Sequence, residues 1–157
     1  MLKIDIICVG KLNERHFTDA CKEYSKRLLP YAKLTVTEIA EIPVSSDGEI
    51  LPALSREGKK IEEKIEKGAF VVCMCIEGKS VSSVAFSEML SDAKCGGKSR
   101  ICFIIGGSNG LSDEIKKRAD FRLSMSEMTF PHHLARVMLL EQIYRAFKIE
   151  EGSGYHK

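Results

Sequence analysis

Residues 100–110 read RICFIIGGSNG, an uninterrupted apolar run that leads into three glycines within five residues. A second apolar run, Ala69–Ile76, precedes it, and Ser83–Lys94 between the two has a helical pattern. Continuous runs rich in Val and Ile are typical of strands that are covered on both faces, as in a parallel sheet. The two runs and the intervening helix therefore predict a βαβ unit.

The rest of the chain alternates in the same way, without a repeat or a long linker. A turn-rich stretch over residues 43–48 is predicted to be the most flexible loop. The alternation predicts a single α/β domain over residues 1–157, with a mainly parallel sheet between two helix layers. Apolar periodicity and end signals predict further strands at Leu2–Val9, Leu34–Ile39 and Phe121–Ser124, and further helices at Glu14–Leu29, Leu54–Lys67, Pro131–Ile149 and, more briefly, from Ser112.

Composition narrows the functional classes. The 157 residues are 44% hydrophobic and 29% charged, with a formal net charge of +2, which is typical of a globular protein and not diagnostic of nucleic-acid binding. No apolar run is long enough to span a bilayer, and the N-terminus is read as a first strand, so we expect a cytoplasmic protein without membrane contact. The six cysteines lack metal-ligand spacing, so we expect reduced cysteines and no metal site.

Three predicted loops follow strands at the carboxyl edge of the sheet, where ligands bind in such folds: Glu77–Ser80, Gly106–Gly110 and Met125–Phe130. The second lacks the endings of phosphate-binding motifs. The helix after it starts with Ser112, Asp113 and Glu114, and acids in a first turn repel phosphate. The pattern favours a ligand with an uncharged or cationic end over a nucleoside triphosphate, although a tight turn without a ligand fits as well.

The residues after Ser124 can be interpreted in two ways at each step. Met125–Phe130 offers apolar surface and backbone groups to a purine ring, or simply fixes the entry to the next helix. That helix is apolar over more than one side, which favours a second copy of the chain as partner. Arg136 and Arg145 either pair with Glu141 or contact phosphate, and the terminal Tyr-His-Lys is either functional or a frayed end.

Taken together, these segments resemble one family, the SPOUT-class ribosomal RNA large-subunit methyltransferases H. The match runs in order along the chain, from Val9-Gly10-Lys11 to the last residue. Four motifs carry it: Gly106-Gly107-Ser108-Asn109-Gly110, Ser126-x-Met128-Thr129-Phe130-Pro131-His132, Glu141-Gln142-x-Tyr144-Arg145-Ala146 and Tyr155-His156-Lys157.

The resemblance implies an enzyme that uses S-adenosylmethionine to methylate N3 of a pseudouridine in large-subunit ribosomal RNA within the assembled ribosome. It also implies a homodimer and a trefoil knot at about residues 101–157, where topology rules alone predict an unknotted sheet. Two alternatives stay open. One is a SPOUT enzyme that acts on transfer RNA, and the other is a noncatalytic nucleotide-responsive α/β module.

The resemblance also assigns site residues. The cofactor is expected to contact Met74, Gly106, Met125, Ser126, Glu127, Met128, Thr129 and Phe130. His156 is the first candidate for the base, because imidazole titrates near neutrality. Tyr155 is expected to stack on or orient the uracil, and Lys157, His132 and Arg136 to hold phosphate or an anion. In this family the tail is thought to complete a site that involves the neighbouring subunit. Surface groups such as Lys22, Lys26 and Arg27 are expected to add phosphate contacts.

Overall fold

The computed structural model describes all residues from Met1 to Lys157 and contains one five-stranded sheet in which every strand pairing is parallel. The strand order is β2-β1-β4-β3-β5. The strands are β1 Leu2–Val9, β2 Ala32–Ile39, β3 Phe70–Ser80, β4 Arg100–Ile105 and β5 Phe121–Ser124, and the helices are α1 Arg15–Leu28, α2 Ile50–Lys64, α3 Ser83–Cys95, α4 Asp113–Arg118 and α5 His132–Glu150. A short 3₁₀ turn at Asp47–Glu49 precedes α2.

Both faces of the sheet are buried, which explains the uninterrupted apolar runs. Because side chains alternate along a strand, Ile101, Phe103 and Ile105 of β4 face one core, where α3 and α1 pack against α5. Cys102 and Ile104 face the other core, on the side of α2 and α4. Each fully buried Ile or Phe contributes about 1.5–3 kcal/mol. The predicted three-layer α/β architecture is confirmed.

The cysteines mainly belong to these cores. Cys8, Cys73 and Cys102 are buried, and burial raises the pKa of each thiol to about 12. A thiol with so high a pKa carries almost no thiolate at neutral pH and behaves as a small apolar side chain. All six cysteines are free. The thiols of Cys8, Cys73 and Cys102 are accounted for by core packing, and the reduced state of the cysteines stays a prediction.

The loop predicted at Glu77–Ser80 is wrong, because β3 continues to Ser80. A register shift between Met74 and Lys79 lets the strand resume pairing with β5 after a bulge. Gly78 makes this possible, since a Cβ there would lie only 2.8 Å from backbone carbons of β5. Met74, which was expected at the end of its strand, instead pairs with both β4 and β5 just before the bulge.

Helix α2 starts at Ile50 and ends at Lys64, earlier at both ends than predicted. Pro52 is the third residue of the helix, where the missing N–H has no intrahelical partner to lose. Proline is therefore no barrier to a helix that starts before it. The 3₁₀ turn at Asp47–Glu49 includes the last two residues of the loop predicted at 43–48, and α2 begins directly after this turn.

None of the helices, including the long α5, has the length and apolarity needed to cross a membrane. The trefoil knot that the resemblance implies stays a prediction.

Candidate active site

A cleft of about 620 Å³ opens at the carboxyl edge of the sheet. Its walls are the end of the first half of β3 (Met74–Ile76), the glycine loop (Gly106–Gly110) and the segment from Leu123 to Ala135. All of the predicted cofactor residues except Glu127 line this cleft, namely Met74, Gly106, Met125, Ser126, Met128, Thr129 and Phe130. Residues from three separate parts of the sequence therefore meet at one site.

The glycine loop is a closed turn. The N–H of Gly110 donates to the carbonyl of Gly107 at 3.1 Å, and Gly110 has a φ of +82°, in the left-handed region that favours glycine. A Cβ on Gly106 would lie 2.5 Å from the carbonyl oxygen of Gly110. After the turn, Ser112 caps α4 by accepting the N–H of Ile115 at 3.3 Å. At Gly106 the backbone of Gly110 therefore leaves no room for a side chain.

The methionine loop (Met125–Phe130) forms the opposite wall and is held by two serines. The hydroxyl of Ser124 donates to the carbonyl of Ser126 at 3.0 Å, and the hydroxyl of Ser126 accepts the N–H of Met128 at 3.0 Å. Pro131 follows as the N-cap of α5. Met128 is 73% exposed. An exposed methionine beside a cleft offers flexible apolar surface to a flat ring.

Lysine, arginine and carboxylate side chains are absent from the lining of the cleft. Its titratable groups are Cys75 and His132. Burial raises the pKa of Cys75, and burial together with neighbouring His133 lowers that of His132, so both groups are neutral at pH 7. An uncharged cleft with many backbone groups suits an adenosine that carries a sulfonium, and it lacks the cations that a triphosphate needs. The residues present fit S-adenosylmethionine.

Arg136, one of the predicted substrate contacts, lies buried beneath this edge. Its two terminal nitrogens each donate to Oε2 of Glu38 at 3.2 Å, and Nη2 also donates to the carbonyl of Gly10 at 3.3 Å. The predicted alternative, a pair with Glu141, is wrong for Arg136 because the guanidinium points toward β2. With 5% of the residue exposed, this guanidinium is not available to RNA phosphate in this arrangement.

We expect Arg136→Met to lower the free energy of unfolding by about 2–3 kcal/mol, because it removes the donor to the Gly10 carbonyl and the charged partner of Glu38. The Glu38 carboxylate then keeps only the N–H of Leu12. Urea denaturation measures this change. Arg15→Met is the matched control, since Arg15 and Asp19 form a pair on the surface with side chains 94% and 61% exposed. The control should cost less than about 0.5 kcal/mol. Equal losses in the two variants would contradict a structural role for Arg136.

The C-terminal tail (Gly152–Lys157) folds back along α5. Gly152, with a φ of +72°, ends the helix, and the N–H groups of Gly152 and Ser153 donate to carbonyls of its last turn. The ring of Tyr155 then lies edge-on to Tyr144 at 5.1 Å and under the Arg145 guanidinium at 4.8 Å. The tail therefore forms a turn that packs on α5, which argues against the frayed-end alternative.

A polar cluster joins the tail to α5. Arg145 pairs with Glu141 as expected, and the hydroxyl of Tyr155 donates to the same carboxylate at 3.2 Å. Burial and this carboxylate raise the pKa of Tyr155, which keeps its phenol protonated. Nδ1 of His156 lies 3.3 Å from Nη1 of Arg145. Because a guanidinium only donates, Nδ1 accepts and the ring proton is on Nε2.

The structure therefore divides the predicted site residues into two groups. His132 joins the cofactor residues at the cleft. Tyr155 and His156 lie beside Glu141, nine residues further along α5, which is roughly 14 Å at the helical rise. Lys157 ends the tail and is exposed. The sequence analysis considered an ion pair or a phosphate contact for Arg145 and missed the contacts of Glu141 and Arg145 with the tail. The signal that could have revealed them is that the motif of these two residues and the tail motif occur in the same family pattern.

A second cavity, the side groove, lies next to the cleft between α1, α3 and α5. It measures about 430 Å³ and shares Leu123–Met125 with the cleft as a common wall. Val137, Met138 and Glu141 of α5 also line it. The apolar excess that the sequence placed on α5 therefore surrounds an open groove.

Comparison with known proteins agrees with this geometry. Residues 2–156 match the family described as "Predicted SPOUT methyltransferase". The chain is 46% identical to the ribosomal RNA large subunit methyltransferase H of Carboxydothermus hydrogenoformans and 48% identical to that of Bifidobacterium adolescentis, covering 99% of this chain and all of each relative.

Solved structures agree on the fold. The tRNA (m1G37) methyltransferase of Aquifex aeolicus superposes with a TM-score of 0.56 at 18% identity, over 92% of this chain and 69% of that one. A probable methylase family protein of Haemophilus influenzae gives 0.55 at 13% identity, over 95% and 66%. With the cleft, the motif order and the full-length match taken together, the chain belongs to the SPOUT methyltransferases and, among them, to the ribosomal RNA large-subunit methyltransferase H family.

Proposed function

We propose that this protein methylates N3 of a pseudouridine in large-subunit ribosomal RNA, in the cytoplasm and on the assembled ribosome, with S-adenosylmethionine as the methyl donor. The observation that carries the proposal is the neutral cleft, which gathers the motif residues of β3, the glycine loop and the methionine loop. The relatives named as ribosomal RNA large subunit methyltransferases match the chain from end to end. We take residues 1–157 as one SPOUT domain with its knot at about residues 101–157.

The proposed role of the cofactor residues is to position the methyl carbon of S-adenosylmethionine. When bound, S-adenosylmethionine supplies an electrophilic methyl group. Met74 and Gly106 would hold the cofactor from β3 and the glycine loop, and the methionine loop would hold it with Met125, Ser126, Met128, Thr129 and Phe130. Glu127, also expected to contact the cofactor, does not line the cleft. These residues would hold the cofactor so that its methyl group can face an acceptor nitrogen, and such positioning would supply much of the rate.

The acceptor needs a proton removed. N3 of the uracil ring is an imide nitrogen and becomes a good nucleophile when its N–H proton leaves. We assign that proton to His156, the orientation of the ring to Tyr155, and the stabilisation of developing negative charge to Lys157. Nδ1 of His156 is occupied by Arg145 in the folded-back tail, so the base role requires the tail to leave that contact. The proposed anion contact by His132 fits its place at the rim of the cleft.

The distance between tail and cleft favours a homodimer. The tail cluster at Glu141 is roughly 9 Å along α5 from Ala135, the last residue of the cleft lining, and roughly 14 Å from His132 at the start of the helix. The side groove supplies the apolar surface for a two-fold copy, whose tail would then reach the cleft of the first. Most apolar residues of α5 pack on α1, α3 and the sheet of the same chain. A dimer would cover the remaining ones, Val137 and Met138 in the side groove, and would explain why the tail is far from its own cofactor residues.

The decisive experiment incubates the protein and labelled S-adenosylmethionine with assembled ribosomes, free subunits and transfer RNA, each lacking the modification. Label in ribosomal RNA that digests to N3-methylpseudouridine, with assembled ribosomes the best substrate, supports the proposal. Label in transfer RNA would favour the alternative SPOUT activity instead. No incorporation in any arm, despite cofactor binding, would favour a noncatalytic module.

A further inference from the structure

Glu41 is an acidic residue at the cleft that no part of the proposed mechanism uses. It lies two residues after β2 and reaches across to the glycine loop, where its Oε1 accepts the N–H of Ser108 at 2.7 Å. A Cβ on Gly107 would lie 2.6 Å from the same oxygen, so the carboxylate packs directly on the loop backbone. Glu41 thus fixes the position of one wall of the cleft.

The other carboxylate oxygen of Glu41 lies near Gly10, which His132 also approaches. A Cβ on Gly10 would lie 3.1 Å from Nε2 of His132 and 3.9 Å from Oε2 of Glu41, so both side chains flank Gly10. The negative charge of Glu41 raises the pKa of His132, against the lowering by burial. His133, Arg136 and Glu14 also act on this imidazole, the first two lowering and the last raising its pKa. Glu41 is therefore coupled to His132, the first residue of α5.

Glu41 is itself held in place. The next residue, Ile42, donates its N–H at 2.8 Å to Glu57, a buried carboxylate of α2. The segment between β2 and α2, which the sequence indicated to be flexible, is thus attached to the second helix layer at the point where it meets the cleft. A side chain on a fixed backbone can hold its partners at a defined spacing.

We infer that Glu41 is a positioning residue for methyl transfer, which holds the glycine loop and the His132 side of the cleft at the spacing that cofactor binding requires. The inference rests on the proposed function, because that function assigns the cleft to S-adenosylmethionine. It gives a role to the segment after β2, whose sequence carries no recognisable motif. Glu41 acts through Ser108 and His132 and does not line the cleft itself.

The test compares Glu41→Ala and Glu41→Gln with Glu49→Ala. Glu49 is the matched control, because its carboxylate accepts the N–H of Ser45 at 2.7 Å in the same segment and is remote from the cleft lining. Calorimetry with S-adenosylmethionine should show about tenfold weaker binding for Glu41→Ala, the effect of one lost hydrogen bond to a charged group. Glu41→Gln keeps an acceptor for Ser108 and should recover affinity to within about threefold of the wild type.

A second readout does not need the cofactor. NMR titration of the His132 imidazole should show a lower pKa in Glu41→Gln and Glu41→Ala than in the wild type, and no change in Glu49→Ala. A wild-type dissociation constant for Glu41→Ala, or an equal loss in Glu49→Ala, would overturn the inference and leave the proposed function standing. An unchanged His132 pKa in the folded Glu41→Gln variant would also overturn it. If the wild type itself does not bind S-adenosylmethionine, the proposed function is refuted, and the inference on Glu41 is refuted with it.

Discussion

Deletion of Tyr155–Lys157 is expected to reduce methyl transfer to ribosomal RNA by roughly three orders of magnitude while changing the cofactor dissociation constant by less than about threefold. The reason is the separation of the two groups of residues. The cleft holds the cofactor residues, whereas the tail packs on Tyr144 and Arg145 of α5 and shares no residue with the cleft lining. Single-turnover methylation and calorimetry on the same preparation measure the two effects.

A mixing experiment extends this prediction. A tail-deleted chain and a chain with an inactive cleft, Gly106→Ala, should each be inactive alone. When they are mixed at equal amounts and allowed to exchange subunits, about half of the dimers are mixed and each of these has one complete site, so about a quarter of the wild-type activity should return. Failure to recover activity, although mixed dimers form, would refute a site shared between subunits.

The deletion has its own control. Replacement of Tyr155–Lys157 by three alanines keeps the chain length and should reduce methyl transfer as the deletion does.

Gly106→Ala is expected to weaken binding of S-adenosylmethionine by at least about a hundredfold. The new Cβ would lie 2.5 Å from the carbonyl oxygen and 2.6 Å from the carbonyl carbon of Gly110. Both atoms are backbone, so no side-chain rotation relieves the clash, and the glycine loop has to open. Because this loop is one wall of the cleft, its displacement removes the backbone groups that the cofactor would meet. Calorimetry measures the loss.

The control for that substitution is Gly48→Ala, since a Cβ at Gly48 would have no atom within 4 Å. It should bind the cofactor like the wild type. Thermal unfolding separates local from global effects: we expect Gly106→Ala to lower the stability by about 1–3 kcal/mol and to remain folded. Wild-type affinity in Gly106→Ala would show that the cofactor does not depend on the glycine loop.

The sequence predicted most where burial dictates residue type. The runs in β1, β3 and β4 are apolar without alternation because both of their faces are covered, and they identified the parallel sheet correctly. The loop residues Gly106 and Met125–Phe130 were correctly placed together, because parallel strands present their carboxyl ends at one edge.

Prediction failed where a single long-range contact decides the local structure. The bulge at Gly78 depends on how closely the backbone of β5 approaches, which no pattern within β3 records. The burial of Arg136 depends on Glu38 of β2, whereas the sequence analysis offered only Glu141 or phosphate as its partner. Likewise Glu41 has no local motif; its role follows only from the meeting of the segment after β2 with two later loops.

The strand order also has a consequence for how the chain is made. β1 pairs with β2 on one side, but its other partner is β4, where Lys3 meets Arg100. During translation one edge of β1 therefore stays unpaired until β4, which ends two thirds of the way along the chain, has left the ribosome. One edge of β3 likewise stays unpaired until β5 has been made. Such distant pairings close large loops and fold slowly. We expect refolding of the purified chain to be slow and to lose material to aggregation at high concentration, because the intermediates expose unpaired parallel strands.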